Sequence, residues 1–358
     1  MEAQTTRSGG GGVIARYREF LPITDATPIV TLGEGSTPLV DASRLSERVG
    51  CRTLIKCEGL NPTASFKDRG MTVAVSKAIE RGARALICAS TGNTSASAAA
   101  YAARARIPCA VVLPAGKIAS GKMAQAIAHG AKIIAIDGNF DDALRIVREL
   151  GEGSDFSIVN SINPDRIAGQ KTAAFEIIDQ LGDAPYLHVL PLGNAGNLTA
   201  YWAGYSEFHK LGRSRRLPRM IAIEASGAAP IFHDRVIEKP ETIASAIRIG
   251  NPASWKLAKQ ALAESSGLVE IASDDEILSA QSWLAAHEGI FVEPASAAPI
   301  AGLFRLAAAK RDDWITDDTI IVCTVTGHGL KDPEVFRFET PHAVPADAES
   351  VRAQILRS

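Results

Sequence analysis

The stretch NPTASFKDRG, residues 61–70, carries a lysine whose chemistry depends on its surroundings. Asn61 and Pro62 are typical of a turn, and the residues that follow predict a helix that begins near Lys67. The positive end of a helix and partial burial would both lower the pKa of this lysine. A neutral amine of that kind forms a Schiff base with an aldehyde. The alternative is a solvated surface charge paired with Asp68 or a nearby carboxylate, which is the commoner situation for a lysine.

A second turn with chemical potential lies in VLPLGNAGNLTAYWAGY, residues 189–205. An apolar strand leads into glycines, and a helix follows them. Glycines let a backbone approach a ligand closely, and the free N–H groups of a first helical turn favour an anion. The pattern has neither the G-x-G-x-x-G spacing nor a G-K-[ST] ending. It predicts a phosphate cradle or, equally, a tight turn in which glycines only relieve strain; its members are Gly193, Asn194, Ala195, Gly196 and Asn197.

A third turn, in ASTGNTSASAAAYAARA at residues 89–105, combines hydroxyl and amide side chains with the start of an Ala-rich helix. Helix capping needs one or two such residues. This cluster has more than capping requires, which favours a loop that binds a carboxylate over a simple cap. Its members are Ser90, Thr91, Asn93, Thr94 and Ser95.

A fourth segment, IVCTVTGHGLKD at residues 321–332, is an apolar strand that ends at Thr326. Ligands of open α/β sheets collect at the carboxyl edge of the strands, where a threonine hydroxyl can bond a ring nitrogen. His328 could serve as a base, but a histidine between glycines is more often a loop residue. An amine, a phosphate cradle and a hydroxyl for a heterocycle are what pyridoxal phosphate requires, and the carboxylate loop suits an amino acid.

The elements that must position these groups are short apolar strands alternating with helical segments, which predicts an α/β fold with mostly parallel sheets. We expect four domain-level parts. Residues 1–50 form an N-terminal segment that packs on the C-terminal domain, and residues 51–163 form a smaller α/β domain of four βα units. Residues 164–340 form a larger α/β domain, and residues 341–358 form an appendage.

The composition of the chain bears on which binding partners it can have and on the cellular compartment in which it works. The chain has 358 residues and a formal charge of −2, which argues against bulk attraction to nucleic acid or acidic membranes. No apolar run approaches the roughly 18 residues of a membrane helix. Five scattered cysteines form no C-x-x-C pair and no zinc pattern, so we expect buried thiols, no metal site and a reducing, cytoplasmic location. The N-terminus lacks the apolar core of a signal peptide and predicts a flexible tail.

Four of these stretches, NPTASFKDRG, STGNTSAS, LPLGNAGN and TVTGHG, resemble the signature loops of fold-type II pyridoxal-phosphate enzymes, the tryptophan-synthase-β superfamily. Three others are similar to the threonine synthase family within it: LGEGSTPLV, NSINPDRIAGQKTAAFEI at 160–177 and IASAIRIGNPASW at 243–255. The resemblance runs from about residue 30 to 335. It implies two doubly wound, mostly parallel sheet domains with the active site in the cleft between them.

The resemblance also implies roles for individual residues. Lys67 would hold pyridoxal phosphate as a Schiff base and then act as acid and base. Asn93 would bond the phenolic oxygen, residues 193–197 the cofactor phosphate and Thr326 the pyridine nitrogen, with Phe66 beside the ring. The substrate would be O-phospho-L-homoserine, and the products L-threonine and phosphate. The implied substrate-binding residues are Ser90, Thr91, Thr94, Asn160, Ser161 and Arg166.

Arg166 is the residue that best distinguishes a phosphorylated substrate from the alternatives. A guanidinium suits a phosphate, because its fork makes paired charge-assisted hydrogen bonds. The alternative is a solvated charge in a first helical turn, where a cation opposes the helix dipole. A serine or threonine dehydratase of the same fold is the nearest rival function and needs no second phosphate site. A non-catalytic binding protein is a third possibility, and the resemblance implies a homodimer.

Overall fold

Two separate sheets organise the chain in the computed structural model, which describes residues 11–115, 120–153, 155–309, 314, 316, 318–336 and 343–355. The larger sheet has the order β1-β2-β10-β7-β8-β9, and the smaller has the order β5-β4-β3-β6. Among the described strands, β1 and β2 pair antiparallel and every other pair is parallel. The strands are β1 Leu39–Asp41, β2 Arg52–Cys57, β3 Ala85–Cys88, β4 Cys109–Pro114, β5 Lys132–Ile136, β6 Phe156–Ile158, β7 Leu187–Pro191, β8 Arg219–Ala225, β9 Leu268–Ala272 and β10 Ile320–Val325.

Helices connect the strands and cover both sheets. All residues of the central strands β3 and β7 are buried, because helices pack on each face of a parallel sheet. The expected α/β fold with two doubly wound, mostly parallel sheets is confirmed. The helices are α1 Gly12–Tyr17, α2 Ser43–Val49, α3 Lys67–Glu80, α4 Asn93–Ala105, α5 Ser120–Ala128, α6 Phe140–Gly151, α7 Pro164–Gln170, α8 Thr172–Leu181, α9 Gly196–Lys210, α10 Trp255–Glu264, α11 Asp274–Glu288, α12 Pro294–Ala308 and α13 Ala348–Ile355.

Strand β2 lies in the larger sheet, whereas the boundary expected at residue 51 assigns it to the smaller domain. It pairs with β10 in parallel register, with Arg52 opposite Ile320 and Cys57 opposite Val325. An apolar strand pattern does not specify its partner strand, and here the partner comes from the far end of the chain. The smaller sheet consists of the four strands between residues 85 and 158.

The N-terminal segment contacts both halves of the molecule. Ile14 and Tyr17 pack in one apolar cluster with Phe175 of α8, whereas Val30 packs in the cluster beneath the smaller sheet. The Thr72 hydroxyl donates to the Val30 carbonyl at 2.6 Å. Residues 1–10 of the expected flexible tail lie outside the described residues, as do 341–342 and 356–358 of the expected appendage. The described α13 buries none of its residues.

The prediction of buried thiols is confirmed, because all five cysteines are buried and none forms a disulfide. In the described part of the chain, no helix has the length and apolar character that crossing a bilayer requires. The same residues contain no cluster of three or more histidines, cysteines or carboxylates suited to a metal ion.

Candidate active site

Lys67 is the first residue of α3, as its sequence context predicts. Its neighbour Asp68 is occupied elsewhere: it accepts from the Thr63 backbone N–H and hydroxyl, both at 2.6 Å, and from the Ser97 hydroxyl at 2.5 Å. Asp68 is fully buried and bonded to these groups, which argues against a solvated lysine paired with it. The same bonds fix the turn that precedes α3, and so they fix where the Lys67 side chain starts.

The electrostatic surroundings of Lys67 favour its neutral form. Part of the residue stays accessible, as expected of a residue that lines a cleft. Burial and then the nearby Arg166 guanidinium lower the pKa of the amine well below its ordinary value, and Glu293 opposes them in part. The Nζ atom lies 4.2 Å from the centre of the Phe66 ring. A neutral, positioned amine is the form that attacks an aldehyde or accepts a proton.

Arg166 approaches Lys67 because α3 and α7 cross at two glycines. A Cβ atom at Gly70 would lie 2.6 Å from the Arg166 carbonyl oxygen. A Cβ atom at Gly169 would lie 2.1 Å from the Arg69 carbonyl oxygen. Larger residues would push the helices apart, so these glycines allow the close approach that places a guanidinium beside the amine.

Arg166 is a buried cation with unused donors. Its side chain is fully buried, which contradicts the alternative of a solvated charge. Nη1 donates to the Val159 carbonyl at 3.0 Å, but Nε and Nη2 have no hydrogen-bond partner among the described residues. Burial lowers the pKa of Arg166 to about 10. Because buried donors are normally satisfied, the two free N–H directions indicate a place for an anion.

The loop of residues 193–197 presents a bare helix start. Ala195, with φ of 65°, is the N-cap of the 15-residue helix α9, and no side chain caps the first turn. The buried Nδ2 atom of Asn197 has no hydrogen-bond partner in the part of the chain that the structure describes. Gly193 is required by packing as well, since a Cβ there would lie 2.9 Å from the Ile247 Cα atom. Free backbone N–H groups with an unpaired amide fit a phosphate.

Asn194 connects this loop with two stretches that are distant in sequence. Its amide donates to the Ser161 hydroxyl oxygen at 2.7 Å and accepts from the Ala253 N–H at 2.8 Å. Ser161 therefore accepts one bond and keeps its own hydrogen for another partner. The segments at 160–177 and 243–255 thus meet beside the predicted cradle.

The loop before α4 leaves most of its hydroxyl groups uncommitted to capping. The N-cap residue is Gly92, and no side chain of the cluster caps the helix. Ser95 donates to the Gly92 carbonyl at 2.7 Å, and the Ser90 hydroxyl accepts from the Gly92 N–H at 3.3 Å. Thr91 remains partly accessible, and Thr94 is 9% exposed. Capping therefore does not explain this cluster.

Asn160 is used by the fold itself. Its amide accepts from the Ala89 N–H at 3.2 Å and donates to the Ala89 carbonyl at 3.0 Å. Asn160 thus fixes the end of β3 where the Ser90–Thr91 loop begins. The assignment of Asn160 as a substrate-binding residue stays a prediction. Its amide oxygen and its amide nitrogen each already have a protein partner.

Thr326 follows β10 and belongs to a hydrogen-bond arrangement that fixes its donor direction. The Ser296 hydroxyl oxygen accepts from the Thr326 and Gly327 N–H groups at 2.9 and 2.8 Å and lies 2.7 Å from the Thr326 Oγ1 atom. Both acceptor positions of Ser296 are filled, so its hydrogen must point to Thr326. The Thr326 hydrogen is then available to an outside acceptor such as a ring nitrogen.

The loop after Thr326 is tied to the turn that carries Lys67. The Phe66 N–H donates to the Thr326 carbonyl at 2.9 Å, and the His328 N–H donates to the Ala64 carbonyl at 3.0 Å. The Nδ1 atom of His328 accepts from the Leu330 N–H at 3.2 Å. This contact supports a loop role for His328 rather than that of a base.

Two residues of the site were not predicted from the sequence: Ser296 in α12 and Glu293, the N-cap residue of that helix. Ser296 contacts Thr326, and both oxygens of Glu293 accept from the Asn93 amide. A signal was available in FVEPASAAP, residues 291–299, where polar residues begin an otherwise apolar helix. These contacts bring together groups from both sheets. The groups include an amine of lowered pKa, donors without partners among the described residues and a hydroxyl donor, which are the kinds of group that pyridoxal phosphate requires.

Comparison with known proteins agrees with this chemistry. The family model described as pyridoxal-phosphate dependent enzyme matches residues 30–327. Threonine synthase of Mycobacterium leprae is 57% identical over 98% of this chain and 98% of that protein. The chain belongs to the threonine synthase family of pyridoxal-phosphate-dependent enzymes. Threonine synthase of Methanocaldococcus jannaschii is 51% identical over 89% of this chain and 80% of that protein.

Solved structures support the fold of this threonine synthase family member. Maize serine racemase superposes with a TM-score of 0.74 at 19% identity, covering 97% of each chain. The processed form of threonine deaminase isoform 2 from Solanum lycopersicum gives a TM-score of 0.70 at 22% identity, covering 88% of this chain and 84% of that chain. The predictions of a fold-type II enzyme, of pyridoxal phosphate as cofactor and of threonine synthase function are confirmed.

Proposed function

We propose that the substrate is O-phospho-L-homoserine, which the protein converts with water into L-threonine and phosphate. The observation that carries this proposal is that unpartnered donors occur at two places, the start of α9 and Arg166, and that the charge of Arg166 acts on Lys67. One is the uncapped start of α9 with the unpaired amide of Asn197. The other is the pair of unpartnered donors on Arg166. A cofactor phosphate needs one position, and a phosphorylated substrate explains the second.

The chain's own residues suggest how the cofactor would be held. Lys67 would bond its aldehyde, residues 193–197 its phosphate, Asn93 its phenolic oxygen and Thr326 its ring nitrogen, while Phe66 would pack beside it. When bound, pyridoxal phosphate supplies an electron sink that allows protons to leave carbon atoms of an amino acid. Ser90, Thr91 and Thr94 would bind the substrate carboxylate, as hydroxyl groups at a helix start can.

Lys67 is the proposed proton carrier. Once the substrate amine has replaced Lys67 on the cofactor aldehyde, the neutral Lys67 amine accepts the proton from the substrate Cα atom and later returns it. A positioned acid–base group of this kind contributes about 10²–10⁴-fold to a rate. Burial and the Arg166 guanidinium lower the pKa of Lys67, which favours the neutral amine and supports this assignment.

Arg166, with Asn160 and Ser161, is proposed to bind the phosphate that leaves Cγ. Two guanidinium N–H groups would bond its oxygens and stabilise the charge that develops as the bond breaks. The Ser161 hydrogen, left free by the bond from Asn194, points to a third contact. A proton leaves Cβ, and phosphate departs from Cγ with the electron pair of the broken bond. Water then adds at Cβ to give the product hydroxyl, and protons return to Cγ and Cα.

The test is a single incubation of the full-length protein, loaded with pyridoxal phosphate, with O-phospho-L-homoserine. We expect threonine and inorganic phosphate in equal amounts. Borohydride treatment of the loaded protein, followed by peptide mapping, should label Lys67. Keto-acid formation from L-threonine without phosphate release from O-phospho-L-homoserine would instead identify a dehydratase.

We also propose a homodimer and a cytosolic location. The first rests on the resemblance to fold-type II enzymes. The second rests on five buried cysteines without a disulfide, which suits a reducing compartment. Light scattering should give twice the chain mass of 37.8 kDa, and a monomer mass would contradict the dimer.

A further inference from the structure

Glu293 contacts Asn93 across a long stretch of sequence. The Asn93 Nδ2 atom lies 3.0 Å from one carboxylate oxygen of Glu293 and 3.1 Å from the other, although the residues are 200 positions apart. Glu293 is 4% exposed and Asn93 is 8% exposed. A buried carboxylate this well shielded from water requires a partner, and Asn93 is the residue that bonds both of its oxygens.

The position of Glu293 at a helix start does not account for its side chain. Glu293 is the N-cap residue of α12, but its carboxylate makes no capping bond. The Ser296 N–H instead donates to the Glu293 backbone carbonyl at 2.9 Å. The carboxylate is therefore directed away from its own helix and toward Asn93.

The loop after β10 is shaped around this carboxylate. A Cβ atom at Gly327 would lie 2.4 Å from one carboxylate oxygen of Glu293. The Glu293 N–H donates to the Gly327 carbonyl at 3.1 Å, which holds the two segments together. Glycine at position 327 thus leaves the volume that the Glu293 side chain occupies.

We propose that Glu293 is a positioning residue that fixes the Asn93 amide with its amino group toward the cofactor's phenolic oxygen. The two ends of an asparagine amide have nearly the same shape, and hydrogen-bond partners decide which end faces which way. A carboxylate accepts from the amino end and never from the carbonyl. One N–H points between the two oxygens of Glu293 and is shared by them, and the second N–H remains for the ring oxygen. The inference rests on the proposed role of Asn93.

The experiment compares cofactor binding in full-length variants. Glu293→Ala should weaken the binding of pyridoxal phosphate about 10–100-fold, the loss of one hydrogen bond to a charged group. It should also shift the visible absorption band of the bound cofactor. Glu293→Gln keeps one acceptor oxygen, so its affinity should lie between wild type and Glu293→Ala. Arg305→Gln, an exposed change on the same helix, should leave affinity and spectrum unchanged.

A double-mutant cycle separates positioning from general loss of structure. In an Asn93→Ala background, Glu293→Ala should weaken cofactor binding no further, because its effect passes through Asn93. Equal weakening in both backgrounds, or no effect of Glu293→Ala in either, would overturn the proposal. Borohydride labelling of wild type is read separately. A label on a lysine other than Lys67 defeats the proposed function, whereas a Lys67 label with an additive cycle defeats only the inference on Glu293.

Discussion

Two groups of buried charge lie on either side of the start of α3, and they differ in how they are balanced. On one side, Arg69 bonds Glu58 at 2.7 and 2.8 Å and Glu176 at 2.8 and 2.6 Å. Lys56 adds a bond to Glu176 at 2.9 Å. Two cations thus face two carboxylates. Burial tends to raise the pKa of Glu176, but the Arg69 guanidinium outweighs it and holds this pKa well below its ordinary range.

On the other side, the Lys67 amine and the Arg166 guanidinium have no carboxylate bonded to them among the described residues. Each has its pKa lowered, chiefly by burial. Arg166 keeps two unpartnered donors, and the nearby carboxylate of Glu293 is bonded to Asn93. A protein stabilises a buried ion pair with its own partners, so a charge left without one indicates a site completed by a ligand. The comparison distinguishes charges that are paired within the fold from the charges that we propose act on the substrate.

The largest effect is expected for Lys67→Ala. Turnover should fall by at least about 10⁴-fold, because the variant loses both the nucleophile and the proton carrier. Threonine formation is the measurement, with borohydride labelling as a second readout. Lys259→Ala, which removes an exposed lysine paired with Asp234, is the matched control and should turn over normally. Normal turnover in Lys67→Ala would show that Lys67 is not catalytic, and the contrast between structural and catalytic charges would then fail.

Arg166→Met should impair catalysis and spare the fold. The loss of two charge-assisted bonds to phosphate, about 1.5–3 kcal/mol each, predicts a fall in kcat/KM of about 10²–10⁴-fold. The free energy of unfolding without cofactor should stay equal or rise, because an unbalanced buried cation has been removed. Urea unfolding and initial rates measure the two quantities. A marked loss of stability would place Arg166 with the structural charges.

Glu176→Gln should show the opposite pattern. It leaves Lys56 and Arg69 short of a carboxylate, and breaking a buried pair in this way costs about 3–5 kcal/mol of unfolding free energy. Asp234→Asn at the exposed Lys259 pair is the control, with an expected loss of about 1 kcal/mol or less. If both variants lost the same small amount in urea unfolding, the network around Arg69 would not be structural.

Local sequence predicts much of the fold and the types of groups in the site. Apolar runs such as LHVLP in β7 lie in strands, because central parallel strands are apolar on both faces. Two edge strands lack this signal. β1 is short and antiparallel, and every residue of β9 except Ala272 is only partly buried. The helix starts at Lys67 and near Asn93 follow from their turn residues.

Contacts between distant segments could not be predicted in the same way. The sheet that contains β2 depends on β10, and the partner of Asn93 lies at Glu293. Neither pairing leaves a periodic signal, since each arises only when the chain has folded. Asn160 illustrates the same point, because its bonds to Ala89 use the amide that its motif assigned to substrate.

The smallest expected effect is on the pH dependence of the unfolding free energy, to which the Lys67 amine contributes. In the cofactor-free protein, the lowered pKa of Lys67 means that the unfolded chain binds a proton that the folded chain lacks. This difference holds between the lowered folded pKa and the unfolded value of about 10.4. Unfolding free energy should therefore rise with pH in that window and fall as pH drops toward the folded pKa.

Lys67→Met should remove this contribution and flatten the rise. Urea unfolding at a series of pH values below about 10.4 measures it as the difference between wild type and variant. Other titrating groups, including the network around Arg69, cancel in that difference. Lys259→Met should leave the pH dependence unchanged, because this lysine is exposed. A difference independent of pH would mean that the folded protein keeps Lys67 protonated, and the amine could not then serve as a neutral nucleophile.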